Sequence, residues 1–492
     1  MTDNESGLVL AIDQGTTGTT ALLLNGRVEP IASYNVEFPN HYPAPGLVEH
    51  DVEEIWASVR AAVKGALQDS GRSASDIRAI GITNQRETSL FWHKGSGKAL
   101  HRALVWQDKR TTERCEELKL AGHEPNFRQK TGLVLDPYFS GTKAAWVLDN
   151  VEGARDLANS GEALFGTIDS WLTWRLCGAH VTDPSNASRT LMMDLSSTQW
   201  DQELLDILNV PRKCLPEIRS SSEVYGLTKG LDFLPDGIPV AGLIGDQQGA
   251  LFGQACFSEG MAKCTYGTGA FVLLNTGKEV VASNNGMLTT VAWKIGDEVT
   301  YALEGSAFIA GAAVQWLRDG LNIIDSAQAI EALARSVESS DGVTFVPALA
   351  GLGAPHWRPK ARGLISGLTG GTTKAHIARA TLEGIALQIR DILDAMTKDL
   401  GGSLRELRVD GGAANNSLLM EIQADVLQSA VTRPTCLETT ALGSAFLAGL
   451  AVGFWDSVEA VAEAWQVNRV FEPSGRDIST LIDQWNTALE RA

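Results

Sequence analysis

Four short stretches of the chain combine glycine with threonine, aspartate or asparagine, and each one follows an apolar run. They are "DQGTTG" (13–18), "GDQQGALFG" (245–253), "TYGTG" (265–269) and "VDGGAANN" (409–416). In such turns the backbone N–H groups stay open to phosphate oxygens, hydroxyls add donors, and an aspartate can hold water around Mg²⁺. Each stretch taken singly is more often a plain turn, so a phosphate-binding function depends on the rest of the chain.

The first stretch lies between the apolar runs "LVLAI" and "ALLL", which is the pattern of a β-hairpin. A hairpin turn also favours glycine, so an ordinary hairpin and a phosphate-binding turn both remain open at this point. Other common nucleotide motifs are missing from the sequence. Neither GxxxxGK[ST], nor GxGxxG, nor the HRD and DFG pair of protein kinases occurs.

The wider chain alternates short, glycine-bounded apolar runs with helix-like segments, which is an α/β pattern. "IRAIGIT" and "FVLLN" are typical of the runs, and "VEEIWASVRAAVKGAL" is typical of the segments. A second segment, "HIARATLEGIALQIRDILDAM", follows Thr372 and Thr373, either of which can cap a helix start. Its apolar residues predict one buried face, formed by Ile377, Leu382, Ile385, Ile389 and Ile392.

A weak internal repeat links the two halves of the chain. "AIDQGTTGTTALLLNG" (11–26) resembles "AKCTYGTGAFVLLNTG" (262–277) in its order of strand, Gly/Thr turn, strand and further turn. The repeat suggests a duplication in which each half brings one glycine-rich turn to a shared cleft. Since 492 residues also exceed what one core usually supports, we expect two domains, 1–255 and 256–492, with the boundary near 253–260.

Composition excludes several classes of partner. The formal charge is −18 with no local basic patch, which argues against nucleic acid and anionic membranes as partners. No long apolar run predicts an integral membrane segment, and the polar, acidic start "MTDNESG" is unlike a secretory signal. The six cysteines form no CxxC pair and are expected to be free thiols, as in a reducing compartment. These features together predict a cytoplasmic protein.

Taken together, these motifs resemble those of the FGGY carbohydrate kinases, over residues 8–453. The most discriminating further stretches are "GITNQRET" (81–88), "LVWQDKRT" (104–111), "DPYFSGTK" (136–143) and "GLISGLTGGTTKAHIARATLE" (363–383). The resemblance implies an α/β fold of two actin-like, ribonuclease H-like ATPase domains with a catalytic cleft between them. It also implies ATP and Mg²⁺ as cofactors. Within the family, the chain resembles members that phosphorylate glycerol to sn-glycerol 3-phosphate in glycerol catabolism.

The resemblance assigns roles residue by residue. Glycerol hydroxyls would be bound by Arg86, Glu87, Tyr138, Asp246 and Gln247, and the carbon side would be walled by Trp106 and Phe271. The nucleotide would be bound by Thr16, Thr17, Gly18, Thr268, Gly311, Gln315, Gly412 and Asn415. Asp246 is the expected general base, and Asp13 with Asp246 the expected Mg²⁺ ligands. Without the resemblance, the adjacent Arg86 and Glu87 would be read as a surface charge pair.

The sequence departs from the family pattern at two places, and each departure leads to a prediction. Many relatives have an arginine two residues beyond the position of Gly18, where this chain has Thr20, so one phosphate-facing cation is missing. In some relatives a loop binds fructose 1,6-bisphosphate through glycine and arginine, or carries a phosphorylated histidine. Residues 225–242 contain neither arginine nor histidine, so we expect neither control to act through that loop. Relatives commonly form dimers and tetramers, which predicts a homodimer or homotetramer.

Two other functions remain open from the sequence. The first is a kinase of the same family that acts on another polyol or a ketose. The second belongs to a different class, since actin-like folds also occur in chaperones and filaments, where ATP drives conformational change without an acceptor. "TNQRET" and "DPYFSGTK" have no evident role in the second class.

Overall fold

The computed structural model describes residues 7–492, so most of the polar start that argues against a secretory signal lies outside the described residues. The strands are β1 (Leu8–Gln14), β2 (Gly18–Asn25), β3 (Pro30–Glu37), β4 (Glu49–His50), β5 (Ile77–Asn84), β6 (Ser89–His93), β7 (Ala103–Leu104), β8 (Ala163–Thr167), β9 (Val181–Thr182), β10 (Met193–Asp194), β11 (Gln199–Trp200), β12 (Glu217–Ile218), β13 (Ser222–Leu227), β14 (Pro239–Gly245), β15 (Met261–Tyr266), β16 (Ala270–Gly277), β17 (Leu288–Ile295), β18 (Glu298–Ala307), β19 (Thr344–Val346), β20 (Leu364–Ser366), β21 (Glu406–Asp410), β22 (Val431–Pro434) and β23 (Val467–Phe471). The helices are α1 (Val52–Ser70), α2 (Thr112–Leu120), α3 (Glu124–Thr131), α4 (Ser140–Asn150), α5 (Ala154–Ser160), α6 (Ile168–Cys177), α7 (Pro184–Ala187), α8 (Gln202–Leu208), α9 (Asp246–Gly253), α10 (Gly311–Asp319), α11 (Ala329–Arg335), α12 (Lys374–Leu400), α13 (Ser417–Leu427), α14 (Thr439–Ala451), α15 (Val458–Ala464) and α16 (Ser479–Arg491).

Two large sheets organise the molecule. The first has six strands in the order β13, β14, β5, β1, β2, β3, and the second has seven in the order β17, β18, β16, β15, β21, β22, β23. From β3 to β13 the neighbouring pairs are antiparallel, antiparallel, parallel, parallel and antiparallel. From β18 to β23 the succession is the same. The internal repeat in the sequence therefore corresponds to equivalent hairpins, β1 with β2 and β15 with β16.

The central strands are apolar because both of their faces are covered. Residues 8–12 of β1 are fully buried, as are most residues of β5 and β14 beside it. Near-continuous apolar runs are typical of strands with helices on both faces. Helix α1 covers one face of this sheet, and it begins at Asp51, whose carboxylate accepts from the Glu53 N–H.

The long helix predicted after Thr373 is confirmed as α12. A capping box of Thr373 and His376 begins it, in which the Thr373 N–H donates to His376 Nδ1 at 3.0 Å. The helix ends at Gly401, whose φ of 68° is the left-handed conformation that glycine adopts at helix ends. Four of the five predicted face residues are buried, and Ile377 is half-buried at the start. This helix forms the centre of the core beneath the second sheet.

Helix α14, from the second half of the chain, packs against α9 and against β5 and β14 of the first sheet. Glycine is required at the crossing, since a Cβ at Gly81 would overlap the backbone of Ser444 and one at Gly253 the backbone of Thr439. The two halves are therefore joined through close backbone contacts beside α9. The predicted domain boundary falls after α9 and stays a prediction.

The structure also describes the cysteines and the lengths of the helices. Each of the six cysteines is a free thiol, as predicted. Within residues 7–492, every helix is too short or too polar to cross a membrane.

Candidate functional site

The opening stretch forms the turn of the β1/β2 hairpin, so the strand–turn–strand prediction is confirmed. The Gly15 N–H donates to the Gly18 carbonyl at 2.9 Å, which closes the turn. The turn is anchored to the end of β5, where the Gln85 N–H donates to the Gln14 carbonyl at 2.7 Å. Thr17 is exposed and Thr16 is half-buried, so the turn stays accessible.

The equivalent turn of the second sheet lies against a helix start. The Gly267 N–H donates to the Gly269 carbonyl at 2.9 Å, which repeats the closure of the first turn. The Thr268 carbonyl accepts from the Ala312 N–H at 3.0 Å, at the beginning of α10. A Cβ at Gly311 would lie 2.6 Å from the Gly267 carbonyl oxygen, so glycine permits this close approach. The structure thus brings Thr268 and Gly311 together, with the exposed Gln315 one helical turn further along α10.

Gly412 and Asn415 lie on a short 3₁₀ turn that follows β21. Because β15 and β21 are parallel, with Thr265 opposite Asp410, this turn and the Thr268 turn leave the same edge of the sheet. Gly411 has a φ of 83°, and a Cβ there would lie 2.6 Å from the Tyr266 carbonyl oxygen. Gly412 and Asn415 are both exposed at this edge.

Two carboxylates interact near the first turn, Asp13 at the end of β1 and Asp246 at the start of α9. Burial raises the pKa of Asp13 to about 8, with further contributions from the charges of Asp246 and Glu438. Within residues 7–492 there is no cluster of three His, Cys, Asp or Glu side chains suited to hold a metal ion. Mg²⁺ is usually held by one or two carboxylates together with substrate phosphates, so the donor set fits Mg²⁺.

Arg86 and Glu87 follow β5 and are buried, with 3% and 2% of their surfaces exposed, so they are not a surface pair. Glu87 has a φ of 62°, an uncommon backbone conformation for a non-glycine residue that is often found at functional sites. The Arg86 Nε lies 3.1 Å from Asp246 Oδ1. The Gln247 N–H donates to the same oxygen at 2.7 Å, so these four predicted residues share one site.

Two aromatic side chains line this site. The rings of Trp106 and Tyr138 meet edge to face with their centroids 5.6 Å apart. The Trp106 indole N–H donates to the Thr16 hydroxyl at 2.9 Å, which links the aromatic wall to the first turn. Phe271 lies on β16 opposite Thr265, and in the described part of the chain it makes no ring contact with Trp106 or Tyr138.

The family models decide the classification. The N-terminal domain model of the FGGY family of carbohydrate kinases matches residues 8–253, and the C-terminal domain model of that family matches residues 262–452. The chain belongs to the FGGY family of carbohydrate kinases. The predicted family is thereby confirmed.

Among relatives of this FGGY chain, a protein of Myxococcus xanthus named glycerol kinase is 57% identical, with 98% of this chain and 99% of the relative covered. A protein of Deinococcus radiodurans with the same name is 55% identical, with 99% and 98% covered. A crystal structure described as Plasmodium falciparum glycerol kinase with ADP is 38% identical, with a TM-score of 0.93 and 99% and 98% coverage. The predicted fold of two actin-like domains is confirmed by these likenesses.

Three charged residues beside these side chains were not predicted from the sequence. Arg189 follows α7, Glu304 lies on β18 and Lys263 lies on β15, and each is almost completely buried. Lys263 Nζ contacts Gln247 Oε1 and donates to the Thr265 hydroxyl at 2.9 Å. A charge inside an apolar strand, as in "MAKCTY" and "YALEGSA", is a signal that could have indicated Lys263 and Glu304. No comparable signal marks Arg189.

A fourth such residue, Lys143 on α4, positions the segment that carries Tyr138. Its Nζ donates to the Tyr138 carbonyl at 2.8 Å and also contacts the Pro137 carbonyl. Burial lowers the pKa of Lys143 to about 7. The "DPYFSGTK" stretch is thus held together by its own terminal lysine.

Proposed function

We propose that this chain transfers the γ-phosphoryl group of ATP to glycerol and forms sn-glycerol 3-phosphate. The proposal rests on the buried Arg86–Glu87 pair beside Asp246, which stands at the start of α9. Relatives named glycerol kinase, 53–57% identical over nearly the whole chain, support the same acceptor.

The acceptor is small, neutral and rich in hydroxyl groups, so its site needs charged hydrogen-bond partners and an apolar wall. In the proposed site Arg86 donates to glycerol oxygens, while Glu87 accepts from glycerol hydroxyls. Tyr138 and Gln247 add neutral partners. The carbon edge of glycerol packs against Trp106 and Phe271, the two apolar side chains that the family resemblance assigns to it.

Asp246 is the proposed general base. Its carboxylate takes the proton of a terminal hydroxyl as that oxygen bonds to the γ-phosphorus, and the bond from the γ-phosphorus to the β–γ bridging oxygen breaks to release ADP. Arg86 and the Gln247 N–H both contact Asp246 Oδ1, which fixes the orientation of the carboxylate. The side chain is half-buried, so a substrate can reach it.

The nucleotide site is proposed at the two glycine-rich turns, at the start of α10 and at the 3₁₀ turn after β21. Phosphate oxygens accept from the first turn and from Thr268 in the second turn, and small residues leave room for the purine. The residues assigned to it are Thr16, Thr17, Gly18, Thr268, Gly311, Gln315, Gly412 and Asn415. Asp13 and Asp246 would hold Mg²⁺, which when bound neutralises charge on the transferring phosphoryl group.

Water must be kept from the site, because it competes with an acceptor that is nearly as small. The Trp106–Thr16 hydrogen bond of 2.9 Å joins the acceptor wall to the first phosphate turn. Closure of the cleft over both substrates would complete this barrier. Three expectations stay predictions: a homodimer or homotetramer, a cytoplasmic location, and no control through residues 225–242.

An acceptor panel tests the proposed function. ADP formation is measured with ATP, Mg²⁺ and, separately, glycerol, xylulose, ribulose, erythritol or no acceptor. Glycerol is expected to give by far the highest kcat/KM, because only it matches a pocket with one charged pair and one short apolar wall. Preference for a ketose would reassign the acceptor, and rapid turnover that ignores every polyol would refute the kinase function.

The missing arginine at Thr20 gives a second test. In the hairpin register Thr20 lies directly opposite Asp13, so the two side chains share a face. The Thr20 hydroxyl accepts from Asn35 Nδ2 at 2.9 Å but brings no positive charge. Thr20→Arg is expected to lower the KM for ATP about fivefold, a gain of roughly 1 kcal/mol from one charge on a phosphate.

Thr20→Met is the matched control, because methionine extends the side chain without adding charge. Its KM for ATP should not fall. An unchanged KM in the arginine variant, or an equal fall in both variants, would show that this position does not face the phosphates.

A further inference from the structure

Five charged side chains of alternating sign form a continuous chain through the wall of the proposed acceptor pocket. Arg86 Nε is 3.1 Å from Asp246 Oδ1, and Arg86 Nη2 donates to Glu304 Oε1 at 3.1 Å, beside a second close contact from Nη1. Arg189 Nη2 donates to Glu304 Oε1 at 3.0 Å, and its Nε donates to Glu87 Oε1 at 2.7 Å. Glu304 is the central member, shared by both guanidinium groups.

Glu304 comes from the opposite half of the molecule. It lies on β18 of the second sheet, between Leu273 of β16 and Leu288 of β17, and is 3% exposed. A carboxylate buried so deeply is costly unless it is paired. Burial acts to raise the pKa of Glu304, but the charges of Arg189 and Arg86 outweigh it and hold that pKa at about 2.

We propose that Glu304 is a positioning residue of the acceptor site, which holds the terminal nitrogens of Arg86 and so keeps that guanidinium from closing on Asp246. Through Arg189 it also fixes Glu87. The inference rests on the proposed function, because it assigns Arg86 and Glu87 to the acceptor and Asp246 to the proton.

Guanidinium groups bind carboxylates most strongly through two parallel hydrogen bonds. With Glu304 neutralised, the nearest charged partner of Arg86 is Asp246, which its Nε already approaches. A tighter pair would engage the proposed base and withdraw Arg86 from the substrate hydroxyls. Gln248 Oε1, which accepts from Arg86 Nη1 at 3.1 Å, is neutral and cannot replace the lost charge.

Neutral hydrogen bonds between the two halves of the chain should preserve the fold when Glu304 is changed. Gln248 Nε2 donates to the Thr290 hydroxyl at 3.0 Å, and the Ser188 and Thr290 hydroxyls are 2.9 Å apart. Both bonds join β17 to the first half of the chain, independently of Glu304. The effect of the substitution is therefore expected on the acceptor rather than on assembly of the cleft.

The test compares Glu304→Gln with Glu383→Gln. Glu383 is equally buried, at 3%, and accepts from Arg379 Nε at 2.9 Å within α12, outside the proposed sites. KM values for glycerol and for ATP, kcat and thermal unfolding are measured for both variants and the wild type. We expect Glu304→Gln to raise the KM for glycerol about tenfold or more and to lower kcat, with the KM for ATP within about twofold.

Glu383→Gln should show wild-type KM values whatever its change in thermal stability. A glycerol KM in Glu304→Gln within about twofold of the wild-type value would overturn the inference. Equal rises in the KM values for glycerol and ATP would also overturn it, because a general disturbance from the altered buried side chain would then account for the effect. If Glu304→Gln does not fold, Glu304→Asp is used, because it keeps the charge on a shorter side chain. The criterion is the same: the KM for glycerol should rise while the KM for ATP does not. If the wild-type protein does not phosphorylate glycerol, the proposed function itself is overturned.

Discussion

Asp246→Asn is expected to lower kcat for glycerol phosphorylation by about 10² to 10⁴-fold, the range that a positioned general base contributes. Asparagine has nearly the same shape, but its amide cannot take the hydroxyl proton. It still offers an oxygen to Arg86 and to the Gln247 N–H, the two groups that contact Asp246 Oδ1. The fold and the KM for ATP should therefore change little.

The matched control for this variant is Asp201→Asn. Asp201 also stands at a helix start, where its carboxylate accepts from the Leu204 N–H at 2.9 Å, and asparagine caps helices equally well. Its turnover should equal that of the wild type. Near-normal turnover in Asp246→Asn would move the role of base to another group.

Asp13→Asn is expected to lower kcat about a hundredfold, or roughly 3 kcal/mol of transition-state stabilisation, and to raise the Mg²⁺ concentration required for half-maximal activity. The amide keeps an oxygen ligand but removes the charge that favours a divalent cation. The variant should fold, because burial raises the pKa of Asp13 to about 8 and the carboxyl is largely protonated at neutral pH before a cation binds. The measurement is kcat against Mg²⁺ at saturating ATP and glycerol.

Glu438→Gln provides the comparison. Glu438 also raises the pKa of Asp13 but lies at the start of α14 and is not a proposed ligand. Its half-saturating Mg²⁺ should shift less than that of Asp13→Asn. Equal Mg²⁺ curves for Asp13→Asn and the wild type would remove Asp13 from the proposed metal site.

The hairpins and the long helix could be predicted from the sequence because their signals are local. The turn at 15–17 lies between two apolar runs, and α12 carries its own cap at Thr373 and a regular apolar face. The equivalence of the two hairpins was also predictable, since the repeated turn pattern at 11–26 and 262–277 corresponds to β1 with β2 and β15 with β16 in two sheets. Local turn chemistry and side-chain period fix such elements almost without tertiary context.

The surroundings of Arg86 could not be predicted in this way. Adjacent opposite charges are normally a solvent-exposed pair, and their burial here depends on Arg189 and Glu304, which lie more than a hundred residues further along the chain. The pairing partners of a charge are set by the three-dimensional packing of separate elements. Motif resemblance supplied the proposed acceptor residues, whereas the charges that pair with Arg86 and Glu87 became visible only in the folded molecule.

Phosphoryl transfer to glycerol is tested by following both products of one reaction. Purified protein is incubated with ATP, Mg²⁺ and glycerol, and ADP formation is compared with the phosphorus products resolved by ³¹P NMR. One equivalent of sn-glycerol 3-phosphate is expected for each ADP, with little ADP formed when glycerol is omitted. ADP accompanied only by inorganic phosphate, at the same rate with and without glycerol, would show that the protein hydrolyses ATP and does not phosphorylate glycerol.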